Sequence, residues 1–572
     1  MGSRTMPKDS YSVLVLGLDG ATFDLILPWV EQGYLPCLRR LLREGSSSPL
    51  RSTIPPITPC AWSSFMTGKN PGKHGLFDFV EPLPDGRGVR FTNASCRSGE
   101  SLWGYLSRKD RRVGIINVPM TYPPEPVNGY LISGLDTPHE RSAYMYPSTL
   151  RDELSAESIG YRIELQHLGN MRTNARRDRQ LAELREVESI RTRTLKHLSS
   201  KYPADFRMLV YGATDQVAHH FWHYMDERHD KYDAEGAERY RHAIRDVYQH
   251  VDGLLASVLE DEGDDTIVAI MSDHGFGPTT NVRLRLNQIL EHADLLAFVP
   301  ERQSGRLKRV LAGLVDRALR STLSADAKRT IAGLFPRLRD WFERLDEAQI
   351  DWTKTIAYTN EAYRSDPAVW LNHTRRNPQG LLKTESEIKD AIEKVENVLR
   401  DLKDPLTGRP VISNVYRTEE IYRGPYLDAA PDLIPSWWED GFLLEQSTPG
   451  GPAELRVERS EAPLAGGVEF AGSHRRDGVL IMAGGPMREN YRFTGADITD
   501  VAPTVLYAMG LPIPDDMDGR VLTEAFESDF IARREPEHEA AEAMVAAGHY
   551  QAFSHAEEAL IAKRLQSLGY IE

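Results

Sequence analysis

Short continuous apolar runs alternate with longer amphipathic stretches through much of this chain. Val13-Leu14-Val15-Leu16-Gly17-Leu18, Arg112-Val113-Gly114-Ile115-Ile116-Asn117-Val118, Phe206-Arg207-Met208-Leu209-Val210-Tyr211, Thr266-Ile267-Val268-Ala269-Ile270-Met271 and Val479-Leu480-Ile481-Met482-Ala483 are too short for buried helices. They predict buried strands. Between them, residues 23–43 place Phe23, Ile26, Leu27, Val30, Leu35, Leu38, Leu41 and Leu42 at roughly helical spacing. Residues 176–200, 236–260 and 497–510 also predict helices. A Pro-rich loop, Thr53 to Pro59, precedes a short helix from Ala61 to Thr67 that stops at Gly68. Such alternation predicts an α/β fold, a doubly wound and mainly parallel sheet with helices on both faces.

The pattern changes after the Thr266–Met271 run. Residues around 300–350 are rich in Arg, Leu and Asp and predict a helical insert, and 352–460 read as an α+β piece with a helix at 385–402. The division expected is a core from 10–284 and 465–530, an inserted cap over 285–464, and a helical Ala/Glu-rich tail over 531–572.

Two strands end in acids. Val13–Leu18 runs into Asp19-Gly20, and Thr266–Met271 into Ser272-Asp273-His274-Gly275. Ligands of open α/β sheets gather at the strands' carboxyl edge. Asp215, after Phe206–Tyr211, and His219 stand four apart, on one helical face. His474 follows Gly472-Ser473 just before a strand. Singly, each has an ordinary explanation as a turn residue, a helix cap or a packed histidine. Together they offer six oxygen and nitrogen ligands, enough for two divalent ions with open positions. The mixed His and carboxylate set favours zinc, with Mn²⁺ or Fe²⁺ as alternatives. Two such ions clamp both ends of an in-line displacement at phosphorus.

Composition narrows the partners. With 572 residues the chain exceeds one compact core. A net charge of −15 argues against nucleic-acid binding. Cys37, Cys60 and Cys96 form no CxxC pair and fit a reducing compartment. The polar N-terminus does not read as a signal peptide, and no apolar run reaches the ~18 residues that span a bilayer. The expectation is a cytoplasmic protein with no membrane partner, acting on a small-molecule phosphate ester; its oligomeric state is not legible.

The motifs Leu16-Gly17-Leu18-Asp19-Gly20, Thr58-Pro59 through Met66-Thr67-Gly68-Lys69-Asn70-Pro71-Gly72-Lys73-His74-Gly75, Asp215-x-x-x-His219, Ser272-Asp273-His274-Gly275 and Gly472-Ser473-His474 resemble the alkaline phosphatase superfamily. Within it the chain is similar to type I phosphodiesterase/nucleotide pyrophosphatase-like proteins, in their soluble prokaryotic branch. Asp497 to Leu506 with Gly510-Leu511-Pro512 resembles the superfamily's late core helix; Asp351 to Thr355 and Ala430 to Ile434 resemble that branch. The resemblance implies an alkaline-phosphatase-type sheet with an inserted α+β cap. It assigns Asp215, His219 and His474 to one metal, and Asp19, Asp273 and His274 to the other, with Thr58 bridging toward it as nucleophile. The activity implied is hydrolysis of phosphodiesters or nucleotide-like pyrophosphates through a phosphothreonine intermediate.

The chain departs from the family pattern at Phe79, where the relatives place an Asn that holds a phosphoryl oxygen. Lys73 is the candidate replacement cation, with Lys69, Arg475 and Arg476 as others, and His74 as a support. This departure keeps a phosphomonoesterase and a phosphoryl transferase or mutase open as alternatives, and a non-catalytic metal-binding scaffold as one of another class. A sulfatase reading needs Pro and Arg two and four residues after its nucleophile, but Cys60 is followed by Trp62 and Ser64. His220 and His223 read as packing or surface residues. Trp437, Trp438 and Tyr363 are the aromatics available to stack on a substrate ring.

Overall fold

The computed structural model describes residues 10–82, 89–163, 171, 173–299, 350–361, 368–447, 449–452, 456–459, 470–541 and 552–568. The helical stretch expected around 300–350, apart from Ile350, lies outside these residues, as do Tyr363 and residues 542–551 of the tail.

The predicted strands form the middle of one ten-stranded sheet among the described residues. Thr266–Met271, Ser12–Leu18, Phe206–Tyr211, Val113–Val118 and Gly129–Ser133 lie side by side, all parallel. Their runs are apolar because helices cover both faces; Val13 to Leu16 and Ile267, Ala269, Ile270 and Met271 are entirely buried. Asp477–Ala483 returns antiparallel between Thr266–Met271 and Gly45–Arg51. Because the central strands run the same way, Asp19, the Asp215 helix and Asp273 all emerge at one edge.

Three helices differ from the sequence pattern. The amphipathic stretch 23–43 is two helices, Phe23–Glu31 and Pro36–Glu44. Pro36 cannot continue a helix from Leu35, but it suits a first helical turn. The second helix is capped from a distance: buried Asp252 accepts from the backbone N–H of Cys37 at 3.0 Å and Leu38 at 2.8 Å. Asp252→Ala should cost about 2 kcal/mol of stability in a urea titration and leave kcat unchanged. The stretch 236–260 likewise divides, into Ala234–Tyr240 and Ala243–Leu259. Thr58, read as part of a loop, instead opens the helix Thr58–Thr67, where the missing N–H of Pro59 costs nothing.

A second apolar cluster, including Leu286, Val369, Trp370, Leu399 and Trp438, lies under the short strands and the helix Glu385–Arg400. Trp437 and Trp438 are buried in it, and Trp438 stacks on Tyr416 at 6.2 Å, so neither is a surface platform. This unit touches the core beside the helix Thr58–Thr67. The Tyr422 hydroxyl donates to the Ile54 carbonyl, and Tyr426 N–H donates to Gly72 O at 3.0 Å. The tail helix His555–Leu568 packs on the core through Ile561 and Leu565, and Arg564 donates to the Leu135 carbonyl at 2.8 Å. No described helix is long and apolar enough to cross a membrane.

Candidate active site

The site lies at the carboxyl edge of the parallel strands. Asp19 N–H donates to Tyr211 O at 3.0 Å and the Thr214 hydroxyl to Asp19 O at 2.6 Å, so the strand ends carrying Asp19 and Asp215 are tied together. Gly20 turns the chain with φ +65°; a Cβ there would stand 3.0 Å from Asp215 Oδ1, so glycine serves both the turn and the close approach. Gly20 N–H also donates to Asp273 Oδ1 at 3.2 Å. The Ser272 hydroxyl donates to Ala21 O at 2.9 Å and accepts from Val479 N–H at 2.8 Å, which locks the Asp273 turn to both neighbouring strands.

Asp215 and His219 lie on the helix Ala213–Met225 one turn apart, with His219 Nε2 3.4 Å from Asp215 Oδ1. His474 arrives through a short antiparallel ladder, Gly275–Pro278 against Gly472–Arg475, which sets Phe276 opposite His474. Its Nε2 is 3.6 Å from Asp215 Oδ1 and 3.2 Å from His219 Nε2, and its ring stacks on His274 at 3.7 Å. His274 Nε2 is 3.7 Å from Asp19 Oδ1, 3.3 Å from Asp273 Oδ2 and 3.4 Å from the Thr58 hydroxyl. All six candidate ligands and Thr58 are therefore brought together and buried.

Two groups of donors lie close enough to share an ion: Asp215 with His219 and His474, and Asp19 with Asp215 and His274. Asp215 stands in both, whereas the family resemblance assigns it to one. The donor chemistry fits cations. Each histidine places Nδ1 on a backbone carbonyl (His219 on Gly472 at 2.9 Å, His474 on Pro56 at 3.0 Å, His274 on Gly275 at 3.0 Å), so each Nε2 turns its lone pair to the centre. Asp19 Oδ1 and Asp273 Oδ2 are buried without a hydrogen-bond donor. Acceptors facing acceptors in a buried site call for positive charge.

The family model for type I phosphodiesterase/nucleotide pyrophosphatase matches residues 13–448. The chain belongs to this family. It is, accordingly, a phosphoric ester hydrolase. The match ends before His474, which the fold alone returns to the site. No curated protein sequence matches the chain. Among solved structures, phosphonoacetate hydrolase from Sinorhizobium meliloti 1021 with phosphonoformate has a TM-score of 0.52 at 12% identity, covering 89% of this chain and 97% of that one. Human ectonucleotide pyrophosphatase/phosphodiesterase 5 has a TM-score of 0.47 at 12% identity, covering 90% and 100%.

Electrostatics in this member of the family follow from burial. Burial, then the charges of Asp273 and Asp215, raises the Asp19 carboxyl well above the usual range. Burial and the Asp215 charge push Asp273 to about 8. Burial would raise Asp215 too, but the imidazoles of His219 and His474 hold it well below the ordinary carboxylate value. Burial, then the His274 ring, brings His474 down to about 3. Two buried acids reluctant to ionise without a counter-charge suit a metal-ligand cluster.

The other candidates have their own partners. Lys69 pairs with Asp516. Lys73 pairs with Asp518 at 2.6 Å and also donates to the Asp516 carbonyl at 2.9 Å. Arg475 donates to the carbonyls of His474 and Pro278, and Arg476 to that of Ser52. His74 bonds to Ser64 at 2.9 Å, bracing the helix Thr58–Thr67, and burial lowers it to about 3. Phe79 is core, 3% exposed. Lys73→Ala and Asp518→Ala should each shift stability by under about 1 kcal/mol and KM alike; a rise in KM in the lysine variant alone would instead show substrate contact. Glu188, on the helix Asn174–Lys201, was not singled out by sequence. Its carboxylate accepts from Ala213 N–H at 2.8 Å and so caps the helix bearing Asp215 and His219.

Proposed function

We propose that this enzyme hydrolyses phosphodiesters or nucleotide-like pyrophosphates, with Thr58 as the nucleophile of a two-metal centre. The observation that carries the reading is the convergence of Asp19, Asp215, His219, Asp273, His274 and His474 around the Thr58 hydroxyl. Bound there, two divalent ions, zinc by donor chemistry, supply Lewis-acid stabilisation to the nucleophilic oxygen and to the phosphoryl oxygens. Thr58 stands in the first turn of a ten-residue helix, whose positive end favours an anionic oxygen. That helix is buried along its whole length, which fixes the direction of attack. The Thr58 oxygen bonds to phosphorus as the ester oxygen leaves with a proton; water then cleaves the phosphothreonine and restores the hydroxyl.

Lys69 and Lys73 are paired with Asp516 and Asp518, and Arg475 and Arg476 donate to backbone carbonyls. A monoester dianion brings one more charge than a diester and needs such a cation. The arrangement therefore favours the diester. The segment 285–464 is proposed to select the leaving group, because the core supplies generic phosphoryl chemistry. The sparse, odd set Cys37, Cys60 and Cys96 supports a reducing, cytoplasmic setting. In the metal-loaded enzyme, kcat/KM for bis-p-nitrophenyl phosphate should exceed that for p-nitrophenyl phosphate by at least about tenfold, roughly 1.4 kcal/mol. The reverse order would assign a monoesterase.

A further inference from the structure

The nucleophile helix does more than carry Thr58. Trp62 lies one turn further on, the i+4 position, and therefore on the same face. Its side chain is fully buried, and its indole Nε1–H donates to Asp19 Oδ2 at 3.2 Å. The other Asp19 oxygen, Oδ1, has no donor and lies 3.7 Å from His274 Nε2. The carboxylate is thus divided, with one oxygen held by the protein and one turned to the centre. The strand below makes room for the indole: a Cβ on Gly17 would sit 2.7 Å from Trp62 Cη2. Nearby, Thr58 Oγ1 reaches His274 Nε2 at 3.4 Å. One rigid helix thereby contacts two of the site's candidate ligands, through residues four apart.

We infer that Trp62 is a positioning residue: its indole N–H orients Asp19 for the ion shared with His274, and it fixes the nucleophile and that ion in one frame. The inference rests on the two-metal reading. A neutral donor suits this place, because it steers a carboxylate without competing for it as a buried cation would. Partners of this kind behind metal ligands typically alter affinity 10–100-fold when removed. A sequence reading has no reason to choose Trp62 from the chain's nine tryptophans. The signal is its spacing from Thr58 together with the glycine on the strand it covers.

The test is metal titration of the metal-free full-length protein by calorimetry, wild type against Trp62→Phe, with zinc as the probe. Wild type should bind two equivalents. Trp62→Phe should bind one with unchanged affinity and the other at least tenfold more weakly, while Trp62→Phe in an Asp19→Asn background should add little. Two wild-type constants in Trp62→Phe would overturn the inference, as would equal weakening of both sites, the mark of a merely structural role. No binding by wild type would instead defeat the two-metal reading. Should Trp62→Phe not fold, the indole N–H signals of the wild-type protein decide. One of them should move on zinc loading and stay unmoved in Asp19→Asn; loading that shifts none overturns the inference.

Discussion

Thr58→Ala is expected to lose hydrolysis by on the order of 10⁴-fold in kcat while binding its metal ions as wild type does. Removing a nucleophile removes the covalent route and leaves only what charge stabilisation and binding supply, and losses elsewhere are of this size or larger. The fold should survive, because Thr58 is the first residue of its helix and Pro59 keeps the helical start. The metal should survive because the other ligands do not depend on the Thr58 hydroxyl. Thr58→Ser should retain far more activity than Thr58→Ala, since it preserves the oxygen. Steady-state rates combined with metal analysis of the same sample make the check. A Thr58→Ala enzyme with full activity would show that water attacks phosphorus directly.

The second large effect is the response of stability to metal and pH. Unfolded, Asp273 titrates near 3.8, while burial and the Asp215 charge push it to about 8 in the metal-free fold; Asp19 is raised as well. The folded metal-free protein therefore holds these protons over a range in which the unfolded chain has released them. The stability they confer is fully present below pH ~4 and is lost as pH rises through about 8. Ions that replace those protons should reverse the trend. At 100 times Kd each adds about 2.7 kcal/mol, and the Tm gain on loading should be larger at pH 9 than at pH 6. Thermal melts of stripped and reloaded protein across this range test it; a gain independent of pH would show that Asp19 and Asp273 do not face the ions. Asp215→Asn should abolish more of the gain than His474→Ala, because Asp215 stands in both donor groups.

The central sheet was legible because its strands are buried on both faces and read as unbroken apolar runs. The acids ending two of them were legible for the same reason, since a charge closing such a run has few structural uses. Asp215 and His219 followed from helical spacing. Other features depend on contacts no local pattern records. The register that brings His474 opposite Phe276 joins segments about 200 residues apart. The break at Pro36 was visible, but its cap, Asp252, comes from a helix 215 residues away. Thr58 read as a loop residue because proline is common in loops, although it is equally at home in a first helical turn. Lys73 is a candidate phosphate ligand from its place in the motif, and its contacts with Asp518 and the Asp516 carbonyl, more than 440 residues away, are recorded by no local pattern. Trp62 was invisible because its value lies in one N–H aimed at one oxygen.

The covalent intermediate offers the most direct test of the nucleophile and of the site built around it. Metal-loaded enzyme would be mixed with bis-p-nitrophenyl phosphate, quenched in acid during turnover, digested and examined by mass spectrometry. The account expects the peptide containing Thr58 to carry the phosphoryl fragment of the substrate on the Thr58 oxygen, and expects the modification to be absent from Thr58→Ala. Turnover that leaves Thr58 unmodified at every quench time, or a fragment on another side chain, would contradict it.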